Sequence, residues 1–209
     1  MRTHGDDDIF QDNGPSKKDP LQVLEIWLSR ARETEIPDPD AMALATADGQ
    51  GHPDLRVVTL SGIAHGGLIF FTNIDSAKGN QLDENPYAAA GLHWREIGRQ
   101  IRIRGKTDRI AGDEADIQFA RSSVELKIAA IASDQSRPLH DRRTLMRQAA
   151  QVATAAFEFE IKRPPQWAGF RLVPASIEFW QKADDRLHDR IHFSRKGEME
   201  PWVRTRLYP

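Results

Sequence analysis

Apolar residues recur along this 209-residue chain with two different spacings. Between Pro20 and Ile36 they recur every three or four positions, which predicts an amphipathic helix. Turn sequences such as GQGHPD and the short link IAHGG separate later segments that are rich in apolar residues. These segments predict a run of antiparallel strands over residues 41–48, 55–62, 67–73, 88–94 and 99–110.

The pattern becomes helical over residues 112–133 and 142–157, and it returns to strands over 167–181 and 189–209. Strands joined by short turns, with helices inserted before the final strands, predict an α+β fold built on an antiparallel barrel with surrounding helices. We predict one domain over residues 20–209. Residues 1–19 are polar and rich in Asp, Gly and Lys, which predicts a flexible N-terminal tail.

The composition argues against several classes of function. The net charge of −2 offers no basic field for nucleic acid. No apolar run approaches the roughly 20 residues that cross a membrane, and the N-terminus has no apolar signal core. Cysteine is absent, which excludes thiolate metal sites and fits a cytoplasmic location. The chain also lacks the motifs of a phosphate loop, a dinucleotide-binding site and a nucleophile elbow. Its histidines show no paired metal-binding spacing, so we predict no metal site.

Basic and polar residues at strand ends remain as candidates. Arg56 begins RVVTLS, and Lys78 lies in NIDSAKGNQL, where Ser76 can cap a short helix. A cation in the first turn of a helix is unfavourable unless an anion neutralises it, so a phosphate at this helix start would suit both groups. The alternative interpretation is a solvated surface lysine.

The stretch EFWQKADDRLHDR, residues 178–190, concentrates Trp, Arg and His. Arg186 and His188 are two positions apart, which would place both side chains on the same side of an extended chain. The alternative is a surface cluster of salt bridges between the aspartates and arginines. Elsewhere, Gln100, Gln135 and Ser136 by themselves indicate only a surface amide and a polar loop.

Residues 177–190, IEFWQKADDRLHDR, resemble the C-terminal signature of the pyridoxamine-phosphate oxidase family, which reads E-F-W, a spacer, then R-L-H-[DE]-R. RVVTLS, FFTNIDSAKG, LDENP, RQIRIRGK, DQS and RLYP also occur in the family's order, so the resemblance runs from about Asp19 to Pro209. It implies a split-barrel fold and a homodimer with FMN at the subunit interface. It also implies an oxidase that passes a hydride from substrate to flavin and then reduces O2.

The resemblance further implies roles for individual residues. Arg56 and Lys78 would bind the FMN phosphate with the Ser136 hydroxyl, and Trp180 and Arg190 would close the site from the partner subunit. The residues implied to bind FMN are Arg56, Val57, Val58, Phe71, Thr72, Lys78, Gln100, Gln135, Ser136, Trp180 and Arg190. The residues implied to contact the substrate are Arg186, His188 and Ser61. No catalytic nucleophile is implied.

The chain departs from vitamin B6 oxidases at the ligands for the substrate's own phosphate. Ser61 stands where those enzymes carry Lys. An alignment without gaps puts Gln118, Ser122 and Leu126 at the other ligand positions, whereas a shift of one residue would bring in Arg121 or Lys127. Without cations, a doubly charged phosphate would be poorly compensated.

The flavin oxidases of phenazine biosynthesis resemble the chain better. They share the C-terminal ending, the Ser after the RVV strand and a WRE segment like Trp94–Glu96. We therefore expect a small aromatic substrate, a reduced phenazine carboxylic acid, oxidised at the expense of O2. The alternatives are a pyridoxine/pyridoxamine 5′-phosphate oxidase and a non-catalytic split-barrel protein that binds flavin or haem.

Overall fold

The computed structural model of the protein describes residues 7–10, 19–156 and 159–209. Within these ranges, one antiparallel sheet is accompanied by α-helices and two short 3-10 helices. The strands are β1 (Ala41–Ala47), β2 (Pro53–Thr59), β3 (Gly62–Ala64), β4 (Gly67–Asn73), β5 (Tyr87–Trp94), β6 (Arg99–Arg109), β7 (Trp167–Gln181), β8 (Asp189–Ser194) and β9 (Val203–Arg206). The α-helices are α1 (Pro20–Glu33), α2 (Ala77–Glu84), α3 (Gly112–Arg121), α4 (Val124–Ala132) and α5 (Arg142–Ala155).

The sheet curls around its two longest strands, β6 and β7, which pair with each other. Its order is β2-β1-β5-β6-β7-β4-β3, with β8 paired to β7 and β9 to β8. The pairing of β6 with β7 shifts register between Arg104 and Gly105, and such an irregularity increases local bending and twist. The first part of β7 pairs with β4 and its last part with β8. The result is a curled antiparallel half-barrel.

Helix α1 packs its apolar side into the core. Asp19 caps the helix by accepting a hydrogen bond from the Leu21 amide at 2.9 Å, and Pro20 occupies the first turn. Leu24 and Trp27 are fully buried, and the Trp27 ring meets the Phe179 ring edge-on at 5.1 Å. Burying two such side chains stabilises the fold by about 2–3 kcal/mol each.

The structure differs from the sequence-based prediction in two elements. Residues 62–64 form the short strand β3, and a turn through His65 and Gly66, both with positive φ, leads into β4. The helical segment 112–133 is broken at Ser122, and Ser123 caps α4 by accepting from the Leu126 amide at 3.2 Å. Among the described helices, none combines the length and apolar character needed to cross a membrane.

Part of the predicted tail is ordered. Residues Asp7–Phe10 form a 3-10 helix in which Ile9 is fully buried, and the Phe10 ring lies 6.0 Å from the Trp27 ring. Arg204 donates to the Ile9 carbonyl at 2.6 Å. Apolar burial of Ile9 and the hydrogen bond to its carbonyl oppose the entropy of a free chain at this point. The rest of the predicted tail, residues 1–6 and 11–18, lies outside the described residues.

Candidate functional site

A cavity of about 920 Å³ opens between β2, the end of β4, the start of α2, helices α3 and α4, and the loop after α4. Segments distant in sequence meet here, since Gln135 contacts a lysine 57 positions earlier. The sequence-predicted site residues that line the cavity are Arg56, Val57, Val58, Ser61, Phe71, Thr72, Lys78, Gln135 and Ser136.

Lys78 is a buried cation at the start of α2. Ser76 caps this helix, as predicted, by accepting from the Gly79 amide. The Lys78 Nζ donates to Thr72 Oγ1 at 3.1 Å, Ser76 Oγ at 3.1 Å and Gln135 Oε1 at 2.8 Å. Burial, and then the charge of Arg56, lower the pKa of Lys78 to about 8. Since its hydrogen-bond acceptors are neutral oxygens, an added anion would stabilise the protonated lysine.

Arg56 lies beside Lys78 and is already well hydrogen-bonded. Its Nη1 donates to the Leu44 carbonyl at 3.1 Å and to Thr46 Oγ1 at 2.6 Å. Its Nη2 donates to Gln81 Oε1 at 3.2 Å and forms an ion pair with Asp54 Oδ2 at 2.6 Å. Two cations and one carboxylate leave this end of the cavity with one net positive charge.

Asp54 was not predicted from the sequence. Burial raises the pKa of Asp54, but the charge of Arg56 and several hydrogen bonds outweigh it and hold that pKa below its usual value. The carboxylate is therefore ionised at neutral pH. It lies two positions before Arg56 on β2, and that spacing is the signal in the sequence that could have indicated the pair.

An aromatic and polar wall faces this basic end. The Phe71 ring stacks on Trp167 at 4.6 Å and 8°, and Trp167 also lines the cavity. Gln118 of α3, Ser122 between the two helices and Leu126 of α4 line it as well. Arg121 and Lys127 are not among the lining residues, and the Lys127 ammonium donates to the Ala120 carbonyl at 2.7 Å.

The remaining predicted residues lie elsewhere in the chain, around β6, β7 and β8. Gln100, Trp180 and Arg190 are direct neighbours across these three strands. They alternate with buried core residues such as Phe179 and Ile191, so they occupy the opposite face of the sheet. None of the three lines the cavity of its own subunit.

The prediction that Arg186 and His188 share one side of an extended chain is wrong. Arg186 has φ 65° and lies in the turn between β7 and β8, and β8 begins only at Asp189. His188 folds back so that its Nδ1 accepts from the Ala183 amide at 3.1 Å and its ring lies 4.8 Å from the Trp180 ring. The tight turn is compatible with the local sequence but not required by it.

Arg190 is held by a buried carboxylate that the sequence analysis missed. Glu178 Oε1 accepts from Arg190 Nε at 3.0 Å and lies 2.9 Å from Nη2. The second Glu178 oxygen lies 3.3 Å from Arg102 Nη1, and the Tyr208 carbonyl accepts from Arg190 Nη1 at 2.9 Å. The side chain of Glu178 shares a sheet face with that of Trp180, two positions along β7, so strand alternation could have indicated its place.

Two family models match most of the chain. The model of the pyridoxamine 5′-phosphate oxidase family matches residues 28–156, and that of the pyridoxine 5′-phosphate oxidase C-terminal dimerisation region matches 167–209. The chain belongs to the pyridoxamine 5′-phosphate oxidase family. The resemblance inferred from the signature motifs is thus confirmed.

Individual relatives agree. The pyridoxine/pyridoxamine 5′-phosphate oxidase of Hyphomonas neptunium is 45% identical over 196 residues, covering 93% of this chain and 89% of the relative. Pyridoxine/pyridoxamine 5′-phosphate oxidase 2 of Ralstonia nicotianae is 47% identical, covering 92% and 90%. The structure of PhzG from Burkholderia lata 383, in complex with tetrahydrophenazine-1-carboxylic acid, superimposes with a TM-score of 0.87 at 38% identity and covers 95% of both chains.

Membership of this family confirms the predicted split-barrel fold and makes the protein an FMN-dependent oxidase. The matched dimerisation region supports a homodimer. Among the described residues, no group of three or more His, Asp or Glu side chains could hold a metal ion.

Proposed function

We propose that this oxidase acts on a reduced phenazine carboxylic acid and holds FMN in the cavity beside β2 and α2. The observation that carries the proposal is the wall formed by Ser61, Gln118, Ser122 and Leu126, all of which line the cavity and none of which is charged. A wall of this kind suits a flat aromatic acid better than a phosphate ester.

The basic end of the cavity fits the phosphate of FMN. Lys78 contacts only neutral oxygens, and together with Arg56 it leaves a net positive charge beside the start of α2. We assign the phosphate to these two cations and to the Ser136 hydroxyl, with Phe71, Thr72 and Gln135 along the flavin. Val57 and Val58 border the same space on β2. The buried cations would bind and orient the phosphate.

The overall reaction balances without a metal or a nucleophilic side chain. The substrate loses two electrons and two protons and gains one double bond, and O2 takes them up to form H2O2. When bound, FMN supplies the redox chemistry that links these two changes. The side chains of the protein therefore have to bind the two rings face to face and exclude water from between them.

Charge separates the candidate substrates. A phosphate ester carries nearly two negative charges, and each charge-assisted hydrogen bond is worth about 1.5–3 kcal/mol. Lacking two or three such bonds weakens binding by several powers of ten, at about tenfold per 1.4 kcal/mol. A monocarboxylate on a tricyclic ring needs only one cation. Leu126, Ala129 and Ala130 of α4 give its rings an apolar border.

The residues around β6, β7 and β8 complete the proposed site. Within one subunit Gln100, Trp180, Arg186, His188 and Arg190 do not line the cavity. We assign them to the partner's cavity, where Arg186 and His188 face the substrate, because two-fold symmetry then forms two equivalent sites. The dimerisation match over 167–209, which contains all of them except Gln100, supports this assignment.

A pyridoxine/pyridoxamine 5′-phosphate oxidase is the second candidate. The identities of 45% and 47% to relatives with that name favour it. That function requires the partner subunit, or a rearranged wall, to supply cations for the substrate phosphate beyond Arg32, which lines the cavity but is paired with Asp40.

An oxygen-uptake assay tests the proposal. Purified holoenzyme receives dihydrophenazine-1-carboxylate or pyridoxine 5′-phosphate, with spontaneous oxidation measured without enzyme. We expect rapid turnover of the phenazine and little or none of the phosphate ester. Ser61→Lys should improve binding of the phosphate ester modestly, with Ser61→Ala as the matched control. Efficient conversion of micromolar pyridoxine 5′-phosphate to the aldehyde by the wild type would overturn the assignment.

A further inference from the structure

The cavity is bordered by a third cation, Arg32, which belongs to the last turn of α1. Its Nη2 lies 2.6 Å from Asp40 Oδ1, and its Nε donates to Asp40 Oδ2 at 3.3 Å. The Asp40 carbonyl in turn accepts from the Leu60 amide at 2.9 Å. This bond ties the ion pair to the end of β2, next to Ser61.

Through Asp40, Arg32 lies beside the C-terminal end of β2, whereas Arg56 lies at the middle of that strand. The register of β1 and β2 pairs Ala41 with Thr59 and Leu44 with Arg56. The two pairs are three positions apart along the strands, so the Asp40 end lies roughly 10 Å from the backbone of Arg56. Arg32 is therefore available to a different ligand group from the one that Arg56 and Lys78 would bind.

The guanidinium of Arg32 keeps donors for such a group. Its side chain is 49% exposed, and its Nη1 has no partner among the described residues. Asp40 fixes the guanidinium through two of its nitrogens and makes the pair electrically neutral. A neutral pair with a free donor can bind a single carboxylate, but it compensates a doubly charged phosphate poorly.

We propose that Arg32 binds the carboxylate of the substrate and that Asp40 positions its guanidinium. The inference rests on the proposed function and deepens it, because it makes the Arg32–Asp40 pair a determinant of specificity for aromatic monocarboxylates. In this arrangement the charge of the substrate lies beside Ser61, and its rings extend along the wall of Leu126 and Ala130.

Equilibrium binding to the holoenzyme tests this without relying on turnover. Calorimetry compares oxidised phenazine-1-carboxylate with phenazine-1-carboxamide, which has the same rings without the charge. Arg32→Gln should weaken binding of the acid roughly tenfold or more, the loss of one charge-assisted hydrogen bond, and leave the amide within about twofold. Asp40→Asn keeps an oxygen that can accept a hydrogen bond from the guanidinium but removes the neutralising charge, so it should tighten binding of the acid. Arg121→Gln is the matched control, because this exposed arginine of α3 does not line the cavity.

Three outcomes would overturn the inference. In the first, the acid is unaffected by Arg32→Gln. In the second, acid and amide weaken equally, which indicates general damage. In the third, only Arg186→Gln weakens binding of the acid, which would indicate that Arg186, in the turn after β7, binds the carboxylate. The proposed function is tested by wild-type turnover alone, and oxidation of only the phosphate ester would refute it. The ratio of acid to amide binding would still report on the role of Arg32.

Discussion

Lys78 allows a test of whether the cavity is built for an anion. The pKa of Lys78 is lowered from 10.5 to about 8, chiefly because the ammonium is buried. Below pH 8 the lysine is protonated in both the folded and the unfolded chain, and burial of its charge destabilises the fold. Between pH 8 and 10.5 the unfolded chain binds more protons, so the free energy of unfolding rises with pH.

The size of the effect follows from the shift. The difference between 10.5 and about 8 corresponds to at most about 3.4 kcal/mol, at about 1.36 kcal/mol per pKa unit. Solvent enters the open cavity and screens part of this cost, so we expect about 1–2 kcal/mol.

Urea unfolding of the flavin-free protein at pH 7.5 and pH 10 measures this contribution. The wild type should gain about 1–2 kcal/mol over Lys78→Met across this interval, since all other titrating groups cancel in the comparison. Lys106→Met, which changes an exposed lysine of β6, should follow the wild type. Saturating FMN should remove this gain in unfolding free energy, because a bound phosphate favours the protonated lysine. For the same reason, the affinity for FMN should fall as the pH rises above 8. Parallel pH profiles for wild type and Lys78→Met would refute the reasoning.

Three further predictions concern the frame of the site. Glu178→Ala should lower the free energy of unfolding by about 1–2 kcal/mol, because the partly buried Arg190 loses its carboxylate partner while the exposed Arg102 loses little. Glu178→Gln should cost less, and thermal unfolding measures both. Gly79→Ala should destabilise α2 and release flavin, because the added Cβ would lie 2.1 Å from the Ile74 carbonyl oxygen. Gly62→Ala is the control, since its added Cβ would meet nothing within 4 Å. Melting curves and flavin absorbance measure both effects. The holoenzyme should sediment as a dimer, and a flavin-loaded monomer would contradict a site shared between subunits.

Local sequence determined most of the elements. Alternation and turn residues placed β4 and β7 at their observed bounds, and Ser76 marked the start of α2. These features depend on neighbours within a few positions, where side-chain period and capping dominate. The break at Ser122–Ser123 was missed because the apolar spacing continues across it, and β3 because three residues are too few to show a period.

The cofactor and substrate residues were predicted through the family's motifs, and only the tertiary structure could show which of them meet. It brings Lys78 to Gln135 and keeps Trp180 and Arg190 away from the cavity of their own subunit. It alone shows the partners that set charge, namely Asp54 on Arg56 and Glu178 on Arg190. Strand spacing can suggest that two side chains share a face of the sheet. Whether a carboxylate then pairs with a guanidinium depends on a distance of a few ångströms, which chain folding alone decides.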